Sequence, residues 1–177
     1  VAVVEHHGSP ALEHESINRL IAWRIENKLP PSDIHRSYGV HYNDPSKVSP
    51  SEYRVDLCIS VPQDVSENTF GVVNKVIPEL KCAKARHFGS RENITAAQHL
   101  YEQWLSSSGE RCADFPMFFH YVNVGPQVKE EDMITDVYLK YLIHNHIPQL
   151  RCLLTDMEGV LFIHGCVTEI SLLGFHV

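Results

Sequence analysis

The strongest constraint on the fold is a residue pattern that occurs twice in the same order. The pairs 81 positions apart are His6 and His87, Gly8 and Gly89, Ser9 and Ser90, and Trp23 and Trp104. The dipeptide His41-Tyr42 recurs 79 positions later as His120-Tyr121, and Asp56 recurs 80 positions later as Asp136. Ordered matches at a nearly constant spacing indicate an internal duplication.

The first copy, residues 1–61, is predicted as strand, helix, strand, strand. Residues 1–5 are β-rich, and Ser9-Pro10 is typical of a helix start. The predicted helix runs to about Lys28 because apolar residues recur at helical spacing. These residues are Ile17, Leu20, Ile21 and Ile25. The predicted strands that follow cover 37–42 and 53–61.

The second copy, residues 81–141, repeats this order after a linker at 62–80. Its strands are predicted at 82–86, 117–123 and 133–138, and its helix is marked by apolar residues at helical spacing. These residues are Ile94, Ala97, Tyr101 and Leu105. The sequence therefore predicts an α+β fold of duplicated β-α-β-β units with pseudo-twofold symmetry. Antiparallel sheets would carry the helices on one side, with a ligand groove between the halves.

The remaining segment, residues 142–177, is left unassigned. The sequence leaves open whether it adds strands or provides an edge for a partner.

Composition excludes several classes of protein. The net charge is -7 and no Lys/Arg cluster is present, so DNA contact by this segment alone is not expected. Five widely spaced cysteines without a C-x-x-C pair indicate a reducing cytoplasm rather than a disulfide framework or zinc site. No apolar run is long enough for a membrane span. The histidines lack a tight ligand spacing, so neither a metal nor a cofactor is expected.

Several stretches together resemble a known family. They are Val1–Gly8, Ile21–Arg24, Tyr38–Pro45, Arg86–Ser90, Phe115–Asn123 and Ile134–Leu139. With these stretches in order, residues 1–141 resemble the GyrI-like effector-binding domain of bacterial AraC-type transcription regulators. The resemblance implies that a groove in the duplicated fold holds small, often aromatic or cationic, organic molecules. It also implies that DNA is contacted only by a separate helix-turn-helix region, expected upstream of Val1.

One position departs from that family. Many relatives carry a glutamate two residues before the tyrosine of the second hairpin, where this chain has Phe119 before Tyr121. The glutamate holds cations, and in enzymatic relatives it takes part in hydrolysis. Its replacement argues against a strong preference for cations and against a borrowed catalytic role.

Strand alternation suggests where a ligand would bind. It predicts one face with Tyr38, Val40 and Tyr42, and an equivalent face with Met117, Phe119 and Tyr121. The complete set of candidate ligand-binding residues is Trp23, Tyr38, Val40, Tyr42, Trp104, Met117, Phe119, Tyr121, Asp136 and Tyr138. Alternatively, the aromatic residues form the core and the tryptophans anchor the helices. Asp56 and Asp136 would then be solvated or paired carboxylates.

The function predicted from these features is that of a cytoplasmic effector-binding module of an AraC-type regulator. Its ligand would be small and hydrophobic or aromatic, and whether it also carries a positive charge is left open. One alternative is a stand-alone interaction protein resembling gyrase inhibitors, which would contact another protein. The other is a hydrolase that uses the same groove, although no G-x-S-x-G motif is present. An enzyme is not the expected outcome.

Overall fold

The computed structural model describes residues 1–92, 94–142, 160–163 and 166–173, which form an α+β fold around one antiparallel sheet. The strands are β1 (Ala2–His7), β2 (Ser37–His41), β3 (Arg54–Ile59), β4 (Val73–Asn74), β5 (Leu80–Phe88), β6 (Arg111–Cys112), β7 (Met117–Tyr121), β8 (Ile134–Leu142), β9 (Val160–Ile163) and β10 (Cys166–Leu173).

Among the described residues, two helical segments pack on the sheet, and a separate 3-10 turn covers Glu130–Asp132. A short 3-10 turn at Pro10–Leu12 leads into helix α1 (Glu13–Glu26). The second segment contains α2 (Thr95–Gln98), a π-helical turn (His99–Trp104) and α3 (Leu105–Ser108). In the part of the chain that the structure describes, no helix is long and apolar enough to cross a membrane.

The two halves share one continuous sheet with the order β4-β1-β3-β2-β7-β8-β5-β10-β9, and β6 pairs with β8 beside this path. The halves meet where β2 pairs with β7, in a register that places Gly39 opposite Phe119. In the C-terminal segment, β10 pairs with β5 and extends the sheet. The predicted α+β class and antiparallel sheet are confirmed.

The order strand, helix, strand, strand occurs in both halves with matching local contacts. In the first half, His6 Nε2 lies 3.1 Å from the carbonyl oxygen of Ser9. In the second half, His87 Nε2 lies 2.9 Å from the carbonyl oxygen of Ser90. These matched contacts support the duplication that the sequence predicts.

Both helical segments lie on the same face of the sheet, each over its own half. Under α1, Leu20 and Trp23 pack with residues of β1 and β3. Under the second segment, Leu100 and Trp104 pack with Val137 and other residues of β5 and β8. The two packed regions leave the centre of the sheet, β2 and β7, accessible between the helices.

The other face of the sheet has its own core. There the rings of Phe118 and Tyr138 stack with centroids 4.7 Å apart, and Tyr38 and Val40 pack beside them. Phe118 is 1% exposed. The aromatic residues of this face therefore stabilise the sheet from below and do not face the helices.

Candidate functional site

The main cavity is a groove between α1 and the second helical segment, with β2 and β7 as its floor. Its volume is about 1930 Å³. Residues that line it include Glu13, Ile17, Ile21, Arg24, Ile25, His41, Arg91, Ile94, Ala97, Tyr101, Met117, Phe119 and Tyr121. Pockets for drug-sized ligands usually measure about 300–1,000 Å³, so this groove has space for a small organic molecule and for solvent.

The wall formed by α1 is apolar. Ile17, Ile21 and Ile25 are 38%, 47% and 72% exposed, and they lie four residues apart along one stripe of the helix. Leu20 and Trp23 belong to a neighbouring stripe and are buried against the sheet. Helix α1 thus has two apolar stripes, of which one faces the core and the other faces the groove. A ligand covering the isoleucines would gain about 25 cal/mol for each Å² of apolar surface removed from water.

The floor of the groove contains an aromatic and polar centre. His41 Nε2 lies 3.3 Å from the Tyr121 hydroxyl oxygen, and the imidazole of His41 lies against the Phe119 ring with centroids 4.3 Å apart. Gly39 makes room for this contact, since a Cβ atom there would lie 2.6 Å from the Tyr121 hydroxyl oxygen. Burial lowers the pKa of His41 to about 4 and raises the pKa of Tyr121. Both side chains are therefore neutral at pH 7.

Charged residues flank this centre. The guanidinium carbon of Arg91 lies 4.9 Å from the centroid of the Tyr121 ring. Arg91 donates hydrogen bonds to the carbonyl oxygen of Asn123 at 2.7 Å and to Thr135 Oγ1 at 3.1 Å. On the α1 side, the carboxylate of Glu13 accepts a hydrogen bond from the Tyr53 hydroxyl at 2.8 Å.

Met117, Phe119 and Tyr121 are the predicted site residues whose side chains share the groove-facing side of the sheet. They lie opposite His41, Gly39 and Ser37 across the β2–β7 pair. Residues directly opposite each other in an antiparallel pair project from the same face. The structure therefore brings these three residues together with His41, as the floor of one groove.

The prediction that Tyr38, Val40 and Tyr42 share the ligand-binding face with Met117, Phe119 and Tyr121 is wrong. Because side chains alternate along a strand, all three project away from the helices, although Tyr38 and Tyr42 border the groove. Tyr38 and Val40 pack in the core on the opposite face. On that face the Tyr42 hydroxyl donates a 2.9 Å hydrogen bond to Asp56 Oδ2.

The predicted groove positions of Asp136 and Tyr138 are also wrong. Asp136 is 3% exposed and pairs with Arg86, whose Nε and Nη2 lie 2.6 and 2.9 Å from its oxygens. Burial opposes ionisation of Asp136, but Arg86 and Lys84 hold its pKa below the usual range. Tyr138 stacks on Phe118. Both residues contribute to the face of the sheet that carries no helix.

The prediction that Trp23 and Trp104 bind the ligand is wrong as well. Trp23 and Trp104 are each 5% exposed and pack between their helices and the sheet. Trp104 also contacts Tyr141 edge-on, with ring centroids 5.2 Å apart. The alternative interpretation of the tryptophans as core anchors agrees with their positions.

Several groove residues were not predicted from the sequence. In the sequence, Ile17, Ile21 and Ile25 served with Leu20 only to mark the helix, although their spacing separates them from the stripe containing Trp23. No sequence pattern distinguishes Arg91, and only the fold brings it near Tyr121. Within the described ranges, no three His, Cys, Asp or Glu side chains are grouped to hold a metal ion.

An open groove with apolar helical walls, an aromatic floor and a few polar groups is the architecture of a small-molecule-binding domain. Residues 1–142 match the family described as "GyrI-like small molecule binding domain". The chain belongs to this GyrI-like family.

Relatives with curated names agree with this assignment. The chain is 35% identical over 140 residues to the "Probable transcriptional regulator YgiV" of Escherichia coli strain K12, covering 78% of this chain and 88% of that protein. It is 27% identical over 122 residues to the "DNA gyrase inhibitor" of Erwinia billingiae, covering 67% of this chain and 76% of that protein.

Solved structures share the fold at low sequence identity. EcmrR, in a cryo-EM complex with DNA, matches with a TM-score of 0.61 and 13% identity over 79% of this chain. The chain spans about half of EcmrR, 52% of its length. A hydrolase from Listeria innocua matches with a TM-score of 0.54 and 14% identity, covering 80% of this chain and 86% of the hydrolase.

Proposed function

We propose that this chain is the effector-binding module of a bacterial transcription regulator, acting in the cytoplasm. The observation that carries the proposal is the pair of apolar helical walls above the ring of Phe119. One wall is formed by Ile17, Ile21 and Ile25, and the other includes Ile94 and Tyr101. A planar, largely apolar molecule fits between such walls. Its binding would alter DNA binding if it favoured one of two conformations of the regulator.

Within this proposal, we assign the module to the AraC type, in which a separate helix-turn-helix region contacts DNA. The relative named a probable transcriptional regulator supports a role in regulation. The acidic net charge of -7 supports DNA contact through another region. The coding sequence upstream of Val1 tests the assignment. A helix-turn-helix pair there is the expected result, and a start codon immediately before Val1 would contradict it.

Ligand binding can be tested by thermal-shift screening of the chain against planar aromatic compounds, with native mass spectrometry to establish stoichiometry. A ligand present at 100 times its dissociation constant stabilises the native state by about 2.7 kcal/mol. Ile21→Gln, in the groove, should weaken binding of each hit. Ile34→Gln is the matched control, since Ile34 is 65% exposed and lies outside the groove. Equal effects of the two substitutions would contradict the groove as the binding site.

A second candidate function follows from the relative named a DNA gyrase inhibitor. In this case the chain would act by docking on another protein, without a required ligand. Inhibition of gyrase supercoiling by the purified chain would support this function. No inhibition at a large molar excess would exclude it.

We propose binding without turnover, because Phe119 supplies neither an acid nor a base and the neutral His41 beside Tyr121, with its pKa lowered to about 4 by burial, is a weak base. Assays with electrophilic small molecules test this point. Turnover that Tyr121→Phe abolishes would overturn it and favour the hydrolase alternative.

A further inference from the structure

The charge distribution around the groove floor distinguishes between classes of ligand. Two arginines reach this region, one from each half of the molecule: Arg24 from α1, and Arg91 from the segment before α2. Arg24 donates to the carbonyl oxygens of Leu29 and His35 and to the Ser37 hydroxyl. Among the described residues, neither arginine pairs with a carboxylate.

Arg91 also has an unused donor. Its Nε bonds to Thr135 and its Nη2 bonds to Asn123 and Ile134, but Nη1 has no hydrogen-bond partner within the described part of the chain. Desolvation lowers the pKa of Arg91, as it does that of Arg24, because both guanidinium groups are withdrawn from water. An arginine nevertheless stays protonated at neutral pH. A partly buried cation with only neutral partners is stabilised by an anion placed beside it.

None of the described acids that border the groove forms an ion pair with Arg24 or Arg91. Glu13 is half-buried and accepts the hydrogen bond of Tyr53. Asp44 is exposed and pairs with Lys47 at 3.3 Å. Glu102 is exposed and accepts a hydrogen bond from Gln98, and Glu92 is exposed. The residue on the floor beside Tyr121 is Phe119, which carries no charge.

Tyr121 adds a second donor next to Arg91. Its pKa is raised by burial and by the charge of the Glu13 carboxylate, so the phenol keeps its proton, and neutral His41 lies 3.3 Å from its oxygen. That separation is long for a hydrogen bond formed by a hydroxyl. A carboxylate closer to the phenol would therefore be a stronger acceptor than the imidazole.

We propose that the groove selects planar apolar carboxylates, with the ligand's carboxylate bound by the Arg91 guanidinium and the Tyr121 hydroxyl. This inference rests on the proposed ligand-binding function and names the chemical class of the ligand. The free Nη1 of Arg91 can donate a charge-assisted hydrogen bond to one carboxylate oxygen, and the Tyr121 hydroxyl can donate to the other. The isoleucines of α1 and the Phe119 ring would cover the apolar body of the ligand.

Three probes with the same ring system separate charge from shape: 2-naphthoate, 2-naphthylmethanol and 2-naphthylmethylammonium. Their dissociation constants for the full chain can be measured by isothermal titration calorimetry at pH 7. We expect naphthoate to bind tightest and the ammonium probe to bind weakest. Tightest binding of the ammonium probe would overturn the inference and favour Glu13 as the residue that selects charge.

Variants then locate the charged contact. Arg91→Gln should weaken naphthoate binding roughly 10- to 100-fold, the range for a hydrogen bond to a charged group. Tyr121→Phe removes another hydrogen bond to the carboxylate and should weaken binding by at least roughly tenfold. The matched control is Arg19→Gln, which removes the same charge from an exposed residue outside the groove.

Binding of the neutral alcohol reports separately on the integrity of the groove. If Arg91→Gln binds the alcohol like the wild type but has lost the preference for naphthoate, the inference is confirmed. An unchanged preference in both Arg91→Gln and Tyr121→Phe would overturn the inference and leave the groove function intact. If none of the three probes binds the wild type, the inference fails, and the ligand-binding function is then tested by the wider thermal-shift screen.

Discussion

Gly39 provides a direct test of the groove geometry, because its missing side chain makes room for two others. A Cβ atom at this position would lie 2.6 Å from the Tyr121 hydroxyl oxygen and 2.8 Å from His41 Nε2. Gly39 is not among the residues with a positive φ, so its backbone conformation is open to alanine and crowding alone decides the outcome. Adding a methyl group to a well-packed site costs about 1–3 kcal/mol. Glycine in a strand is itself less stable than alanine by about 0.5–1 kcal/mol. The difference between the middle values of these two ranges predicts that Gly39→Ala lowers the free energy of unfolding by roughly 1 kcal/mol.

Urea denaturation monitored by the fluorescence of Trp23 and Trp104 measures this change, because both indoles are buried. The double variant Gly39→Ala with Tyr121→Phe lacks the hydroxyl that creates the 2.6 Å contact. It should therefore recover at least about 0.5 kcal/mol relative to the sum of the single variants. The contact with His41 remains, so the recovery should be partial. A Gly39→Ala variant as stable as the wild type, with no coupling to Tyr121, would show that these side chains are not packed as described.

Three further predictions concern the two faces of the sheet. Phe118→Ala should lower the free energy of unfolding by about 3–5 kcal/mol because the ring is buried against Tyr138. The matched control is Phe88→Ala, because the Phe88 ring is 67% exposed; it should change the free energy of unfolding by less than about 0.5 kcal/mol. Comparable losses for the two variants in urea denaturation would contradict this packing. Burial lowers the pKa of His41 and His120 from the ordinary 6.5 to about 4, so between these values the unfolded chain binds protons that the folded chain does not. The free energy of unfolding is therefore unaffected by these two groups above about pH 6.5. It decreases as the pH falls towards 4, by at most roughly 1.4 kcal/mol per pH unit for each histidine. Urea denaturation from pH 7.5 to 4.5 measures this slope, which should become shallower in the double variant His41→Gln, His120→Gln; an unchanged slope would assign it to other groups. Finally, Asp136→Asn should destabilise the chain by about 1–3 kcal/mol, because the substitution removes one charged partner from Arg86 and Lys84. The same variant should leave the dissociation constant of a groove ligand unchanged, whereas a tenfold change measured by calorimetry would return Asp136 to the binding site.

The element order was predictable because both copies show strong local patterns. Ser9-Pro10 marks the helix start, and the apolar alternation around Leu57 marks a strand. The short strands β4 and β6 are two residues each and leave too little pattern to detect. The π-helical turn at His99–Trp104 was not predicted either, since the residues around it have ordinary helical spacing. Contacts between distant residues, such as that of Arg91 with Tyr121, depend on the completed fold.

The error in the predicted face of Tyr38, Val40 and Tyr42 follows from the alignment of the two predicted copies. The sequence match of His41-Tyr42 with His120-Tyr121 has an offset of 79, which makes Tyr42 the counterpart of Tyr121. In the sheet, Val40 lies opposite Asp56 and His120 lies opposite Asp136, so the structural offset is 80. His41 is therefore the true counterpart of Tyr121, and the two side chains meet across the β2–β7 pair. A shift of one residue moves every side chain of a strand to the other face. Aligning the copies on the buried aspartates rather than on the matching dipeptide predicts that His41 lies on the face equivalent to that of Phe119 and Tyr121, and the pairing of β2 with β7 then brings the two faces together.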